Sequence, residues 1–391
     1  MFLELSLVNE DPTAKVWVVL CASGKGWYPN YGIQADVYHS YHLVKDHGIP
    51  EEQIIIMYYD DIATHKSNPT PGKIINEPNG TNVYEGLPKH YTGKYVTPEN
   101  FLGVLQGSDA LAKAGKKVVK SGPNDRIFVY LMDHGAPGLV FFPDKQLHAD
   151  DLNKALVSMH KANKYFQMVF YLEACESGSM FNKILPDNIN VYAVTATKPD
   201  EDGWFYYDDE TYNTCLGTYF AAIWFDDWRH NDPTVETFDQ EFAYFTEHSN
   251  FKFEGSNCSQ HAQHYGDLSL AKLTLSQFLE AAVYVLQQNI IHAKDVDEKL
   301  RYTEELETLL NGRQTIDKHM SEYVNSIQHL LTVDSNAILN TKQELNNRQC
   351  YRQLVDTYAE QCLDLGQHKG HFCKVCQIDD QLLNGLLSEC S

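Results

Sequence analysis

The sequence predicts an α/β protein in which a mainly parallel sheet is sandwiched by helices and followed by an all-α module. Three observations support this fold class. Short, continuous apolar runs alternate with helical patterns up to about residue 200, as expected for strands buried on both faces. All 14 prolines and most of the 23 glycines lie before residue 261. After about residue 268, the helical spacing of apolar residues continues to the end without a proline.

The predicted strands and helices alternate along the first part of the chain. Strands are expected at residues 15–22, 54–59, 126–132, 166–174 and 190–197. Helices are expected at residues 34–47, 98–114 and about 149–163. A stretch rich in proline and glycine separates the second strand from the second helix. Parallel strands need long crossover connections of this kind, and helices usually provide them.

Length and charge exclude several classes of function. At roughly 150 residues per domain, the 391 residues predict two or three domains. The formal net charge of −22 repels phosphate backbones, so no nucleic-acid partner is expected. No apolar run approaches the roughly 18–20 residues that cross a bilayer, so no membrane span is expected. The first dozen residues lack a basic flank and contain Glu4, so no signal peptide is visible in this chain.

Two predicted strands end in reactive residues. The run RIFVYLM leads into Asp133, His134 and Gly135, and the run MVFYLEA leads into Cys175. Active sites of open parallel sheets lie beyond the carboxyl ends of the strands. One strand–helix–strand crossover separates the two runs, so we expect them to be neighbours, roughly 4.8 Å apart. The imidazole and the thiol would then lie at one edge of the sheet.

This pairing is what catalysis by a thiol needs. An adjacent imidazolium lowers the pKa of a cysteine thiol, and the same imidazole can protonate a leaving amine. The Gly135 amide is a candidate oxyanion donor, because glycine lets the backbone approach a substrate closely. Taken alone, Cys175 could be a small buried apolar residue and His134 a loop residue. Their joint position on two strand ends favours catalysis.

Longer blocks around these residues resemble the legumain, or asparaginyl endopeptidase, family of cysteine peptidases. The matching blocks are YLMDHG (130–135), VFYLEACESGSM (169–180), DNINVYA (187–193), DDIATHKSNPTPG (60–72), NGTNVYEG (79–86), YTGKYVTPENFL (91–102) and KSGPND (120–125). The resemblance implies a caspase-like peptidase domain over residues 1–280, with Cys175 as nucleophile and His134 as base. It also implies that Asn30 orients the histidine and that no cofactor or metal is needed.

The chain departs from the family motifs in the pocket that selects the residue before the scissile bond. Where the family has an Arg-His pair, this chain has Gly32 and Ile33. The last position of the family motif Glu-Ser-Ser is Gly203 here, and the last position of the motif Leu-Gly-Asp is Thr218. Glu173 is retained. We expect these five substrate-binding residues to form a widened pocket that accepts a cation or, with Glu173 protonated, a small neutral side chain. The alternative is a different loop register, with other residues filling the pocket.

The C-terminal part resembles the legumain activation peptide, here residues 281–312, and the death-domain-like prodomain, here residues 313–391. The resemblance implies that this prodomain acts as an intramolecular inhibitor. Its release in acid would follow from carboxylates that lose their charge as the pH falls. The candidate processing sites are Lys294, Asn289 and Asn311.

Five cysteines crowd the last part of the chain. By resemblance they form the disulfide bonds Cys350–Cys376 and Cys362–Cys390, and Cys373 is then extra. Each bond would contribute roughly 3 kcal/mol by closing a short loop. A metal site built from His368, His371, Cys373 and Cys376 is the alternative, and we favour the disulfide bonds.

These observations predict the zymogen of a cysteine endopeptidase that hydrolyses protein and peptide substrates through a Cys175 acyl-enzyme. A peptide ligase and a regulatory pseudoenzyme are the alternatives. The resemblance implies a lysosomal, vacuolar or secreted location. Asn79 and Asn257 lie in glycosylation sequons, which such a location would allow to be modified.

Overall fold

The computed structural model describes residues 14–233, 235–253 and 255–279. Within these ranges, residues 14–227 and 233–279 belong to one compact unit. The expected activation peptide and prodomain lie outside the described residues, together with their processing sites, late cysteines and alternative metal site. The predicted division of the chain at residues 280 and 312 therefore stays a prediction.

Fourteen strands are present in the described part of the chain. In chain order they are β1 (Val16–Ala22), β2 (Ile54–Tyr58), β3 (Tyr91–Thr92), β4 (Arg126–Met132), β5 (Gly135–Ala136), β6 (Leu139–Phe141), β7 (Gln146–His148), β8 (Gln167–Glu173), β9 (Val191–Thr195), β10 (Phe205–Asp209), β11 (Thr214–Thr218), β12 (Asn250–Phe253), β13 (Ser256–Ser259) and β14 (Gln263–Gly266). Seven of them form the central sheet, in the order β14-β9-β8-β4-β1-β2-β3. All neighbours in it are parallel except β14, which is antiparallel to β9.

Helices cover both faces of this sheet. They are α1 (Tyr31–Asp46), α2 (Pro98–Leu105), α3 (Asp109–Lys113), α4 (Ala149–Lys161), α5 (Tyr219–His230), α6 (Phe238–Glu247) and α7 (Ser276–Leu279). On one face, apolar side chains of α2 and α4 pack on alternate residues of the strands. On the other face, the α5 residue Trp224 packs edge-on against Tyr130 and Tyr171, with ring centroids 4.9 and 5.5 Å apart. The predicted mainly parallel α/β fold is confirmed.

The predicted helix at 98–114 is instead two helices. Gly107 adopts φ +65°, a left-handed conformation that ends α2. A Cβ atom at this position would lie 2.5 Å from the Val119 carbonyl oxygen, so only glycine fits. The Ser108 hydroxyl then accepts a hydrogen bond from the Leu111 amide and begins α3. The apolar periodicity continues across this break, and for this reason the sequence predicted a single helix.

Three small antiparallel sheets were not predicted. They consist of β5–β7, of the pair β10 and β11, and of the pair β12 and β13. Their strands are short and, apart from the largely buried β11, mostly half-exposed or exposed, so they lack the continuous apolar runs that revealed the central strands. No helix in the described part of the chain is long and apolar enough to span a membrane.

Candidate active site

The carboxyl ends of β4 and β8 lie side by side, as the sequence predicted. Met132 pairs in register with Glu173, and the Asp133 amide donates to the Glu173 carbonyl at 3.1 Å. The chain therefore leaves both strands at the same level. A Cβ atom on Gly135 would lie 2.1 Å from the Cys175 carbonyl oxygen. The loop after β4 and the turn after β8 therefore lie so close together at Gly135 that a side chain would not fit there.

Hydrogen bonds fix the His134 ring and the position of its proton. The Asn30 side-chain NH₂ group donates to the Lys25 carbonyl at 2.6 Å, and this sets the orientation of the amide. The Asn30 Oδ1 atom, which can only accept, lies 2.7 Å from His134 Nε2. In the neutral ring the proton is therefore on Nε2, and Nδ1 is left as the acceptor.

The Cys175 thiol is half-buried, and burial raises its pKa. The Gly203 amide lies 3.4 Å from the sulfur, and this contact lowers the thiol pKa, as does a weaker one from the Gly135 amide. The carboxylates of Asp202 and Glu176 act in the opposite direction and raise it. Burial likewise lowers the pKa of His134. Both shifts favour a neutral thiol and a neutral imidazole in the resting site.

The same groups include one set of potential metal ligands in the described part of the chain. Ligand atoms of Cys175, Glu176 and Asp202 lie within 4.8 Å of one another. Glu176 also has a raised pKa, first because of burial and then because of the charge on Asp202. Glu176 adopts φ +47°, a left-handed conformation that is uncommon for a residue other than glycine. The turn after the cysteine is thus both acidic and conformationally constrained.

Glu173 lies in a network of internal partners. Its Oε2 atom accepts a hydrogen bond from the Tyr130 hydroxyl at 2.6 Å, and the Ala221 amide in the first turn of α5 also donates to this carboxyl. The side chain is 6% exposed. Glu173 is therefore supplied with hydrogen-bond donors from β4 and α5.

A second carboxyl, Asp36, lies close to Glu173. It accepts hydrogen bonds from the Asn76 side chain at 2.7 Å and from the Thr218 hydroxyl at 2.8 Å. Burial raises the pKa of Asp36, and the charge of Glu173 adds to the effect. The Thr218 hydroxyl is also within hydrogen-bond reach of Glu173. That contact lowers the pKa of Glu173, whereas burial, the larger influence, raises it to about 7.

The glycines of the expected pocket differ in the space around them. A Cβ atom on Gly32 would lie 2.9 Å from the Gly217 carbonyl oxygen, so β11 fills that space and Gly32 does not widen the site. Ile33 is 2% exposed and packs against Gly24. At Gly203, by contrast, the nearest atom to an added Cβ lies at 3.7 Å, which leaves room for a methyl group.

Several residues of this site were missed from the sequence. Tyr130 and Asn76 gave no signal, because a tyrosine in a strand and an asparagine in a loop are ordinary. Asp36 was likewise not singled out from the sequence. The contact of Gly203 with the sulfur depends on a loop between strands that no periodicity predicts.

The sequon residues Asn79 and Asn257 are both exposed.

Comparison with known proteins places the chain in a family. The model of the peptidase C13 family matches residues 16–300. Legumain of Pongo abelii is 38% identical over 383 residues, which are 91% of this chain and 86% of that protein. The vacuolar-processing enzyme of Vicia sativa is 42% identical over 280 residues, which are 69% of this chain and 56% of that protein. The crystal structure of caspase-1 from Spodoptera frugiperda matches with a TM-score of 0.40 and 12% identity, over 66% of this chain and 88% of that chain.

The family match covers more than half of the chain, and the mammalian relatives extend over nearly all of it. The structure places the ends of β4 and β8, which lead into His134 and Cys175, at one edge of the central sheet. The chain belongs to the peptidase C13 family and is a cysteine endopeptidase of the legumain type.

Proposed function

We propose that Cys175, His134 and Asn30 form the catalytic centre of this peptidase. The observation that carries the proposal is the shared edge of β4 and β8, with His134 Nε2 held on Asn30 at 2.7 Å. His134 Nδ1 accepts the thiol proton while the Cys175 sulfur attacks the scissile carbonyl. The proton then passes to the leaving amine as the C–N bond breaks, and a water molecule hydrolyses the thioester.

In this proposal the thiol and imidazole react from a neutral resting pair. Burial lowers the pKa of His134 and raises that of Cys175, so in this proposal the imidazolium forms as the sulfur attacks and the negative charge passes to the carbonyl oxygen. The Asn30 oxygen supports the imidazolium because it accepts the Nε2 proton in both states of the ring. The amides of Gly135 and Cys175 are the proposed oxyanion donors.

The residue before the scissile bond is proposed to be small and uncharged rather than strictly asparagine. Both pocket cations of the family are absent, and the two remaining carboxyls, Glu173 and Asp36, are satisfied by internal donors. Gly32 packs against Gly217 instead of opening a cavity. A neutral pocket of reduced depth favours alanine, serine or glycine over a long cation.

A peptide library varied at this position tests the preference. The chain is incubated between pH 4 and 7, and the cleavage products and its own new termini are sequenced. Cleavage after small neutral residues is expected. A strict preference for asparagine, or for lysine and arginine, would contradict the proposed pocket. The variant Thr218→Asp restores the family residue, and we expect it to alter the preference while the exposed variant Glu210→Gln leaves it unchanged.

The zymogen state and the compartment are proposed on the family resemblance. Residues 313–391 would act as the inhibitory prodomain, with release after Lys294, Asn289 or Asn311 in acid. Similarity to the vacuolar-processing enzyme of Vicia sativa supports a lysosomal or vacuolar location for this chain. New termini in the acid incubation would identify the processing position.

Two alternative functions use the same residues. A peptide ligase would pass the acyl group to an amine instead of water, and product masses with an added amine nucleophile distinguish it. A regulatory pseudoenzyme would not turn over at all. Failure of an active-site electrophile to label Cys175 after acid treatment would favour the pseudoenzyme.

A further inference from the structure

Residues 201–204 form one side of the thiol environment. The Gly203 amide lies 3.4 Å from the Cys175 sulfur. The Glu201 carbonyl accepts a hydrogen bond at 2.7 Å from the amide of Glu176, the residue that follows the cysteine. This segment, which we call the thiol-facing segment, therefore contacts both the nucleophile and the turn behind it.

The opposite side of the thiol-facing segment is bound to the stretch that leads into β14. The Glu201 carboxylate has Oε1 2.6 Å from His261 Nδ1, while its Oε2 accepts from the His261 amide at 3.0 Å and the Lys198 amide at 3.2 Å. The Trp204 amide also donates to the Gln260 side chain at 2.8 Å. One carboxylate thus gathers three donors from two separate stretches of chain.

Gly203 has no side chain whose contacts could fix the position of its backbone. The nearest atom to an added Cβ is 3.7 Å away, so the backbone is not tightly packed there. The position of its amide therefore depends on the residues on either side of it. On the amino-terminal side, Glu201 makes four hydrogen bonds, and it is the point where the His261 stretch meets the nucleophile turn.

We propose that Glu201 and His261 are positioning residues that hold the Gly203 amide against the Cys175 sulfur. This inference rests on the proposed role of Cys175. The Gly203 contact lowers the pKa of the thiol, whereas burial and the charges of Asp202 and Glu176 raise it. Loss of the Glu201–His261 contact should leave those raising influences opposed only by the weaker contact from the Gly135 amide. A change in the thiol titration is therefore a readout that a merely structural pair would not produce.

The test uses the full chain after acid incubation, with four variants. Glu201→Gln keeps the length of the side chain but replaces one acceptor oxygen by an NH₂ group, which cannot accept from the backbone amides. His261→Ala removes the ring, and His261→Asn keeps a donor near the position of Nδ1. Glu210→Gln, on an exposed residue of the turn between β10 and β11, is the matched control for charge. Alkylation of Cys175 by iodoacetamide is followed against pH by peptide mass, beside kcat, KM and thermal midpoint.

For Glu201→Gln and His261→Ala, the alkylation profile is expected to move to higher pH and kcat to fall about tenfold or more, with KM changed much less. His261→Asn should recover most of both, and Glu210→Gln should match the parent chain. Unchanged alkylation profiles, or losses that simply follow the thermal midpoint without rescue by His261→Asn, would overturn the inference. Should the parent chain alkylate but cleave no peptide, the proposed function fails, and the alkylation profiles still decide the role of the pair.

Discussion

Asp133, between β4 and His134, should make the folded protein less stable as the pH rises. Its side chain is 8% exposed, and burial raises its pKa from 3.8 to about 7, against the opposing effect of a hydrogen bond from the His134 amide. The Asp133 Oδ1 atom accepts that bond at 2.8 Å. Asp133→Asn keeps an acceptor oxygen of the same shape and removes the titration.

The sign follows from the two pKa values. Between pH 3.8 and about 7, the folded state retains a proton that the unfolded chain has released. Stability due to this group is therefore full below pH 3.8 and falls as the pH rises through that window. At about 1.4 kcal/mol for each pH unit, the gap between the two values corresponds to about 4 kcal/mol. The group is almost fully buried, so solvent screening reduces this value little.

Urea unfolding followed by tryptophan fluorescence measures this effect. Both proteins carry Cys175→Ser to prevent self-cleavage, and the free energy of unfolding is compared from pH 4 to 8. The chain with Asp133 should lose about 4 kcal/mol relative to Asp133→Asn across this range. Asp187→Asn, at an exposed position, controls for net charge and should show no such difference. A gap between Asp133 and Asp133→Asn that stays constant with pH would refute the reasoning.

Two further predictions concern Asn30 and the pocket glycines. Asn30→Ala should lower kcat by about tenfold or more with a smaller change in KM, because the His134 ring loses the oxygen that fixes its Nε2 proton. Steady-state kinetics test this prediction, and an unchanged kcat would contradict it. Gly32→Ala should lower the free energy of unfolding by about 1–3 kcal/mol, because the added methyl group meets the Gly217 carbonyl, whereas Gly203→Ala, which has room, should cost little. Equal thermal midpoints for these two variants would argue against the packing of α1 on β11.

The sequence was sufficient for five strands of the central sheet, all but the short β3 and the antiparallel β14, and for the placement of its two reactive ends. Runs such as RIFVYLM are continuous because both faces of β4 are buried, and this burial leaves a clear apolar signal. His134 and Cys175 follow neighbouring strands because one crossover separates them. Their common edge of the sheet therefore follows from the sequence alone.

The rest of the site could not be predicted, because it depends on contacts between distant segments. Asn76, in a loop, and Thr218, at the end of β11, meet at Asp36, and no spacing in the chain encodes that meeting. The widening expected at Gly32 did not occur, because a missing side chain allows a neighbour to move in as readily as it leaves a cavity. The sequence singled out Gly203 because the missing side chain was expected to widen the pocket. In the structure its backbone amide contacts the Cys175 sulfur.

Trapping of the acyl-enzyme is the most direct test of the catalytic account. The acid-treated chain is mixed with a peptide ester, quenched in acid, digested, and analysed by mass spectrometry. The account predicts a thioester on the peptide that contains Cys175, faster turnover of that adduct when His134 is intact than in His134→Ala, and none in Cys175→Ala. An acyl group on another residue, or undiminished peptide cleavage by Cys175→Ala, would contradict it.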